Sequence, residues 1–280
     1  MARGIVSQVL RRMVVRGPVR LTAESLLQHV PEAAFELARK GESLLQIMQG
    51  KGWSSARNLV YEVQIAARLL PERDAVVLDV GANVGDWTAQ MVRLAGPRIA
   101  RLIAFEPSAA NFASLERIDF ARFELVKSAV GAVPCEMTLF SDRPGSGIAS
   151  LYQRRLDHVG VFPSAQESVA VVTLDRYAEE HGLTRIDFMK MDIEGHELRA
   201  LEGARGLLEG GRIRALSFEF GGTNIDSRTY FQDFWYLLTG LGFRIFRMAP
   251  RARLLEVRRY SEDLEIFSTT NYVARLDAAR

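Results

Sequence analysis

Cysteine is nearly absent from this chain of 280 residues, Cys135 being the only one. A single thiol excludes an intramolecular disulfide and any zinc site built from cysteines, so nothing points to an oxidising compartment. Cys135 reads as a small apolar residue at the start of a strand. Long apolar runs are missing as well: no stretch approaches the ~18–20 residues a membrane span requires. The N-terminal segment is interrupted by arginines and lacks a small-residue cleavage site, which does not make a signal peptide. A cytoplasmic protein is therefore expected. Histidine is scarce, and three of the four, His29, His158 and His181, fit surface or loop positions. Neither sign of charge dominates, with a formal net charge of +2. No basic stripe interleaved with aromatics surrounds the motifs described below, so no nucleic-acid partner is expected.

What charge there is lies unevenly. Residues 1–20 carry Arg3, Arg11, Arg12, Arg16 and Arg20 and no acid, with Ile5, Val9 and Met13 spaced four apart. This is the pattern either of an ordinary terminal helix or of a basic amphipathic helix making weak contact with an anionic membrane surface. Helical patterning continues through Thr22, Leu26 and Leu27, then from Pro31 to Met48, and from Ser54 or Ser55 to Leu70, before Pro71. Residues 1–72 read as a helical extension or cap without chemistry of its own.

From Ala75 the rhythm changes. Strands are expected at Ala75–Val80, Arg101–Phe105, Phe123–Val126, Ile186–Met191 and Ile213–Phe220. Helices alternate with them at Trp87–Leu94, Ala109–Ile118 and Glu197–Leu208, and Tyr230–Leu241 follows. This indicates an α/β domain over residues 73–280 with a mostly parallel sheet covered on both faces. Cys135–Phe140 and Val169–Leu174 alternate like strands, and Pro144-Gly145-Ser146-Gly147 between them suggests a mobile loop. The end, Phe243–Met248, Pro250, Leu254–Val257 and Glu265–Arg275, has the pattern of a closing antiparallel hairpin, where a dehydrogenase would keep alternating strand and helix.

The most informative stretch runs Val76-Val77-Leu78-Asp79-Val80-Gly81-Ala82-Asn83-Val84-Gly85-Asp86. A buried strand enters a turn with glycines four apart, and a helix opens directly after it. Gly81 can turn sharply and Gly85 can let the chain approach a ligand. A dinucleotide fingerprint would read Gly-x-Gly-x-x-Gly. Here Asn83 holds the middle position, where it can accept positive φ, and Asp79 sits inside the strand end. Methyltransferases place an acid there to face the ammonium of the methionine part of S-adenosylmethionine. Glu106, 21 residues after Gly85, can accept hydrogen bonds from ribose hydroxyls; its alternative role is a helix N-terminal acid beside Pro107. Ser128-Ala129-Val130 falls where an adenine edge would lie.

Asp192 lies at the C-terminal end of the strand Ile186–Met191, where doubly wound sheets put their ligand crevice. Glu194 is two residues further on, either on the same face or capping the next helix. Glu219, at the tip of Leu216–Phe220, faces the same sheet edge or pairs with an arginine. The loop Gly221–Arg228 is expected over the crevice, reading an acceptor through Asn224, Asp226 and Arg228, with Ser227 as a helix cap. Trp53, Trp87 and Trp235 read as core. Two carboxylates, Asp192 and Glu194, are too few for a metal site, and none is assigned.

Leu78–Thr88, Phe105–Pro107 and above all Lys190-Met191-Asp192-Ile193-Glu194-Gly195-His196-Glu197 resemble the FkbM family of methyltransferases, whose signature reads Lys-x-Asp-x-Glu-Gly-x-Glu. Gly221–Arg228 and Thr270-Asn271-Tyr272 are similar to it too, so the resemblance covers roughly residues 75–275. It implies a Rossmann-like class I methyltransferase fold, S-adenosyl-L-methionine as cofactor, and O-methylation of a hydroxyl on a sugar or complex natural product. The cofactor would be held by Asp79, Gly81, Asn83, Gly85, Glu106, Ser128 and Asp192. A base is expected near the methyl group: Asp192 first, with Glu194 positioning the acceptor, His196 as the fallback and Glu219 after it. The competing readings are an NAD-dependent oxidoreductase and a non-catalytic interaction module on the same fold.

Overall fold

A computed structural model describes residues 32–52 and 55–276. The basic segment 1–20, His29 and Trp53 lie outside the described residues. The chain divides into two compact units between Gln46 and Ile47. The described part of the first belongs to helix α1 (Glu32–Met48), which ends ahead of Gly50 and Gly52.

The second unit opens with helix α2 (Ser55–Leu69), kinked at Asn58. An α/β alternation follows: β1 (Ala75–Val80), α3 (Asp86–Ala95), β2 (Ile99–Phe105), α4 (Ala109–Leu115), β3 (Phe123–Val126). Next come three strands, β4 (Ala129–Val130), β5 (Cys135–Ser141) and β6 (Ala165–Val172), and helix α5 (Leu174–Glu180). The chain then runs through β7 (Phe188–Met191), α6 (Glu197–Glu202), α7 (Arg205–Glu209), β8 (Ala215–Phe220), α8 (Thr223–Ser227) and α9 (Phe231–Gly240). It closes with β9 (Phe243–Ala249), β10 (Arg253–Val257) and β11 (Thr270–Leu276).

The main sheet has the order β10-β9-β11-β8-β7-β1-β2-β3. Neighbours from β8 to β3 pair in parallel, and β11 enters antiparallel between β8 and β9. The expected hairpin is β9–β10, and the last strand returns into the sheet. β4, β6 and β5 form a separate small sheet instead of extending the main one. One face of the main sheet packs Leu78, Ile103 and Met189 against Tyr177, Leu201, Leu207 and Phe234 from the helices. The other packs Val77, Leu102 and Phe188 against Trp87 and Met91 of α3 and Val63, Ala66 and Ala67 of α2. Helix α2 is thus core material for the sheet and lies within the second compact unit.

Two other expectations change. The helix Glu197–Leu208 is interrupted after Glu202, where Gly203 lies against the backbone of Gly131: a Cβ on Gly203 would stand 2.0 Å from the Gly131 carbonyl oxygen. Cys135 does start a strand, but it is exposed. Trp87 is buried and Trp235 half-buried against the core.

Candidate active site

Three adjacent strand ends build the site. At the end of β1, Gly81 adopts φ +82, and a Cβ there would lie 2.0 Å from the Asp192 carbonyl oxygen at the end of β7. Only glycine lets the loop cross β7 so closely. The loop amides are already in use. Gly81 and Ala82 donate to the Phe105 carbonyl at 2.9 and 3.1 Å, and Gly85 donates to Ala82 at 2.9 Å. Asn83 N donates to Glu106 Oε2 at 2.8 Å. A dinucleotide pyrophosphate, which binds through free amides at this turn, would not find those four. Asn83 takes φ +50 in place of a glycine.

Beside the loop lies a partly open cavity, with about 560 Å³ of space between the atoms and the solvent at its mouth. Glu106, Asn83, Ser128 and Asn111 give it polar edges, and Phe105, Val130, Leu139 and Leu151 apolar walls. Glu106 Oε1 accepts from Ser108 N at 3.0 Å and Asn111 Nδ2 at 3.1 Å. Burial raises its pKa against these bonds. A carboxylate has about four acceptor positions. With three filled, Glu106 has room for about one ribose hydroxyl, not two. Gly147 and Ala149, from the loop expected to be mobile, pack into the cavity wall.

Two expected cofactor residues are placed elsewhere. Gly85, φ +92, starts α3 with its Cα against Ile118 and Leu115, and lines neither this cavity nor the cleft described next. Asp79 is fully buried, takes a hydrogen bond from Thr88 Oγ1 at 2.6 Å, and lies 3.2 Å from Lys190 Nζ. Its charge is therefore answered by Lys190, one strand over, and not left free for a ligand ammonium. Lys190 also donates to the Gly81 carbonyl at 2.9 Å and stands 3.7 Å from Asp192. Burial alone would lower the Lys190 pKa, but Asp79 and Asp192 hold it above its ordinary value.

A second space, an open cleft of about 1140 Å³, shares Gly81, Asn83, Gly147, Asp192 and Glu194 with the cavity. Glu62 of α2, Asp86, Asp192, Glu194 and Glu219 line it, and among the described residues Lys190 is the one cation in its lining. Met191 ends β7, so Asp192 and Glu194 do not share a strand face. Glu194 sits in a left-handed turn, φ +53, uncommon for a residue with a side chain. Glu197, not Glu194, fixes that turn, accepting from Ile193 N at 2.9 Å and Gly195 N at 3.0 Å. Arg154 reaches in from the loop after β5 to pair with Glu194 at 2.7 Å and Asp226 at 3.4 Å. Burial, with the Asp192 charge beside it, pushes Glu194 up to about 8 although Arg154 opposes this. Burial and the same negative neighbours raise Glu219 well above the carboxylate range.

His196 turns away from the acids. Its Nδ1 meets the Tyr152 hydroxyl at 3.1 Å, its ring lies on Gly131, and burial lowers its pKa to about 4. It lines the cavity and not the cleft. The acceptor-reading loop is placed differently too. Asn224 is buried, accepting from Gly221 N and donating to Thr229 Oγ1, both at 2.8 Å, and Arg228 is exposed. Asp226 is taken by Arg154, and none of the three lines the cleft. Tyr230, not Ser227, caps α9. Sequence reasoning assigned nothing to Lys190, Glu62, Arg154 or Glu197. Lys190 and Glu197 stood inside the quoted signature, where a lysine within an apolar strand was the available signal.

Residues 79–245 match the methyltransferase FkbM domain. The chain belongs to the FkbM methyltransferase family. Its α/β sheet is the Rossmann-like class I fold, and S-adenosylmethionine is its cofactor. The chain resembles methyltransferase FkbM from Methylobacillus flagellatus KT at 19% identity and TM-score 0.44, over 71% of this chain and 43% of that one. It thus spans less than half the length of that relative. An rRNA methylase from Streptococcus thermophilus aligns at 12% identity and TM-score 0.41, over 77% and 95% of the two chains. Magnesium protoporphyrin IX methyltransferase from Synechocystis PCC 6803, solved with bound S-adenosylmethionine, aligns at 12% and 0.39, over 78% and 81%. No curated protein matches the chain. Among the described residues no helix is long and apolar enough to cross a membrane.

The cavity fits this cofactor chemically. Asn83 Oδ1 is buried there and has no hydrogen-bond donor among the described residues, a position that a ligand ammonium or hydroxyl would fill.

Proposed function

We propose that the chain transfers a methyl group from S-adenosylmethionine to a hydroxyl of a sugar-containing or polyhydroxylated small molecule. The observation that carries this reading is that the cavity and the acidic cleft meet at Asp192 and Glu194. The cofactor supplies an electrophilic methyl group at its sulfonium. Glu106, Asn83 and Ser128 would hold it, with Gly81 keeping the loop low and Asp79 acting only through Lys190. Carboxylates are hydrogen-bond acceptors, suited to a ligand rich in hydroxyls. The same acids would repel a phosphate backbone, which binds through cations.

Asp192 is the residue placed to accept the hydroxyl proton, because it alone among the cleft acids also borders the cavity without an arginine partner. Glu194, fixed by Arg154, would position the acceptor. His196 belongs with the cofactor side, its Nδ1 engaged by Tyr152. The bound cofactor would supply its methyl group to the acceptor oxygen, and Asp192 would take the hydroxyl proton.

Calorimetry is expected to show binding of S-adenosylmethionine and S-adenosylhomocysteine but not NAD, with Glu106→Ala weakening it by about 1.5–3 kcal/mol. Labelled methyl should enter the small-molecule fraction of a cell extract. Asp192→Asn should lower turnover ~10²-fold or more with cofactor binding kept, and His196→Ala should cost less. Heat with NAD alone would reject the cofactor reading, and label confined to protein or RNA would reject the acceptor.

A further inference from the structure

The cleft carries more negative charge than its own cations answer. Asp192, Glu194 and Glu219 each present a carboxylate oxygen, and these oxygens lie within 4.8 Å of one another. Lys190 approaches one oxygen of Asp192 at 3.7 Å and Arg154 holds one oxygen of Glu194 at 2.7 Å. The second oxygen of each has no partner among the described residues.

Glu219 carries the argument. It is only 9% exposed, it lines the cleft, and among the described residues no donor or cation reaches it. The largest charges acting on it, from Asp192, Glu194, Glu197 and Glu62, are negative. Packing does not explain such a residue, because a buried carboxylate without a counter-charge is costly. It follows Phe218, which pairs with Met191 of β7, so strand pairing brings it beside Asp192.

We propose that Asp192, Glu194 and Glu219 bind a hard divalent cation of the Mg²⁺ or Mn²⁺ class. An all-oxygen donor set selects such ions over softer metals. Ligand oxygens ~2.1 Å from an ion stand at most ~4.2 Å apart, so the present spacing closes onto one ion by small side-chain rotations. The sequence does not mark the site, because Glu219 is 27 residues from Asp192 and only the sheet brings it near. What the ion would do rests on the methyl-transfer reading: it would hold acceptor oxygens where the cleft meets the cofactor cavity. The binding site itself does not depend on that reading.

The test uses the metal-free full chain titrated with Mg²⁺ by calorimetry and with Mn²⁺ by electron paramagnetic resonance, with S-adenosylhomocysteine binding measured in parallel. One ion per chain is expected, with Mg²⁺ displacing Mn²⁺. Glu219→Gln should weaken binding about tenfold or more, since ligand charge sets affinity. The same variant should gain less thermal stability than the wild type at a fixed Mg²⁺ concentration, since stabilisation follows affinity. Should Glu219→Gln not fold, Glu194→Gln is read by the same affinity change. No bound Mn²⁺ at millimolar concentration, or Glu219→Gln binding as tightly as wild type, overturns the proposal. If S-adenosylhomocysteine still binds in that case, only the cation site is rejected; if it does not, the methyl-transfer reading falls as well.

Discussion

Lys190 shows how much a single side chain can organise. In the β1–β7 register it stands directly beside Asp79, and it ties the glycine loop carbonyl to two strand-end acids. Asp79 is completely buried, so removing the lysine leaves a carboxylate with Thr88 as its remaining partner. Lys190→Met is expected to cost about 3–5 kcal/mol, the penalty for breaking a buried pair from one side. Adding Asp79→Asn should restore much of that loss, and urea unfolding of both single variants and the double variant measures it as a coupling energy. Additive losses would mean that Lys190 acts through the loop carbonyl alone. The sequence showed both residues plainly. It did not show that they are neighbours, because residues 111 apart meet only through strand pairing. For the same reason Asp79 was read as a ligand group and Lys190 as nothing.

At the scale of elements, local pattern and tertiary contact divide the outcome. β1 and β3 have the expected bounds, and the ends of β2, β7 and β8 carrying Glu106, Asp192 and Glu219 were legible, since buried strands flanked by glycine and proline are local signals. The small sheet of β4, β5 and β6 was not, because alternation marks a strand without naming its partner. The break between α6 and α7 was also hidden: it falls where the chain at Gly131 passes against Gly203, a contact between residues 72 apart. A methyl group there cannot be accommodated by side-chain movement, since its neighbour is a backbone oxygen at 2.0 Å. Gly203→Ala should therefore lower stability by about 1–3 kcal/mol or more. Gly240→Ala, with nothing within 4 Å of the added carbon, should be neutral or stabilising by up to ~1 kcal/mol. Thermal unfolding of the two variants side by side checks the contrast. Equal melting temperatures would show that the α6–α7 break owes nothing to this contact.

For the whole molecule the open question is where the catalytic unit begins. Composition and rhythm change at Pro71–Ala75, and by pattern alone that is where a boundary is drawn. Packing argues for an earlier start. Val63, Ala66, Ala67 and Leu70 are buried against Val77, Trp87, Met91 and Leu102 of the sheet and α3, while Glu62 and Leu59 line the cleft. Burying a valine or leucine side chain fully contributes ~1.5–3 kcal/mol. Val63 and Leu70 alone then account for roughly 3–6 kcal/mol, comparable with the lower part of the ~5–15 kcal/mol that holds a domain folded. We propose that the unit binding the cofactor starts near Ile47. A chain beginning at residue 47 is expected to unfold cooperatively and to bind S-adenosylhomocysteine about as tightly as the full chain. One beginning at residue 73 should expose Trp87 and Met91, lose cooperative unfolding, and bind weakly or not at all. Circular dichroism melts with calorimetry on both truncations separate the two boundaries. If the shorter chain melts and binds like the longer one, α2 returns to the extension and Glu62 leaves the acceptor cleft with it.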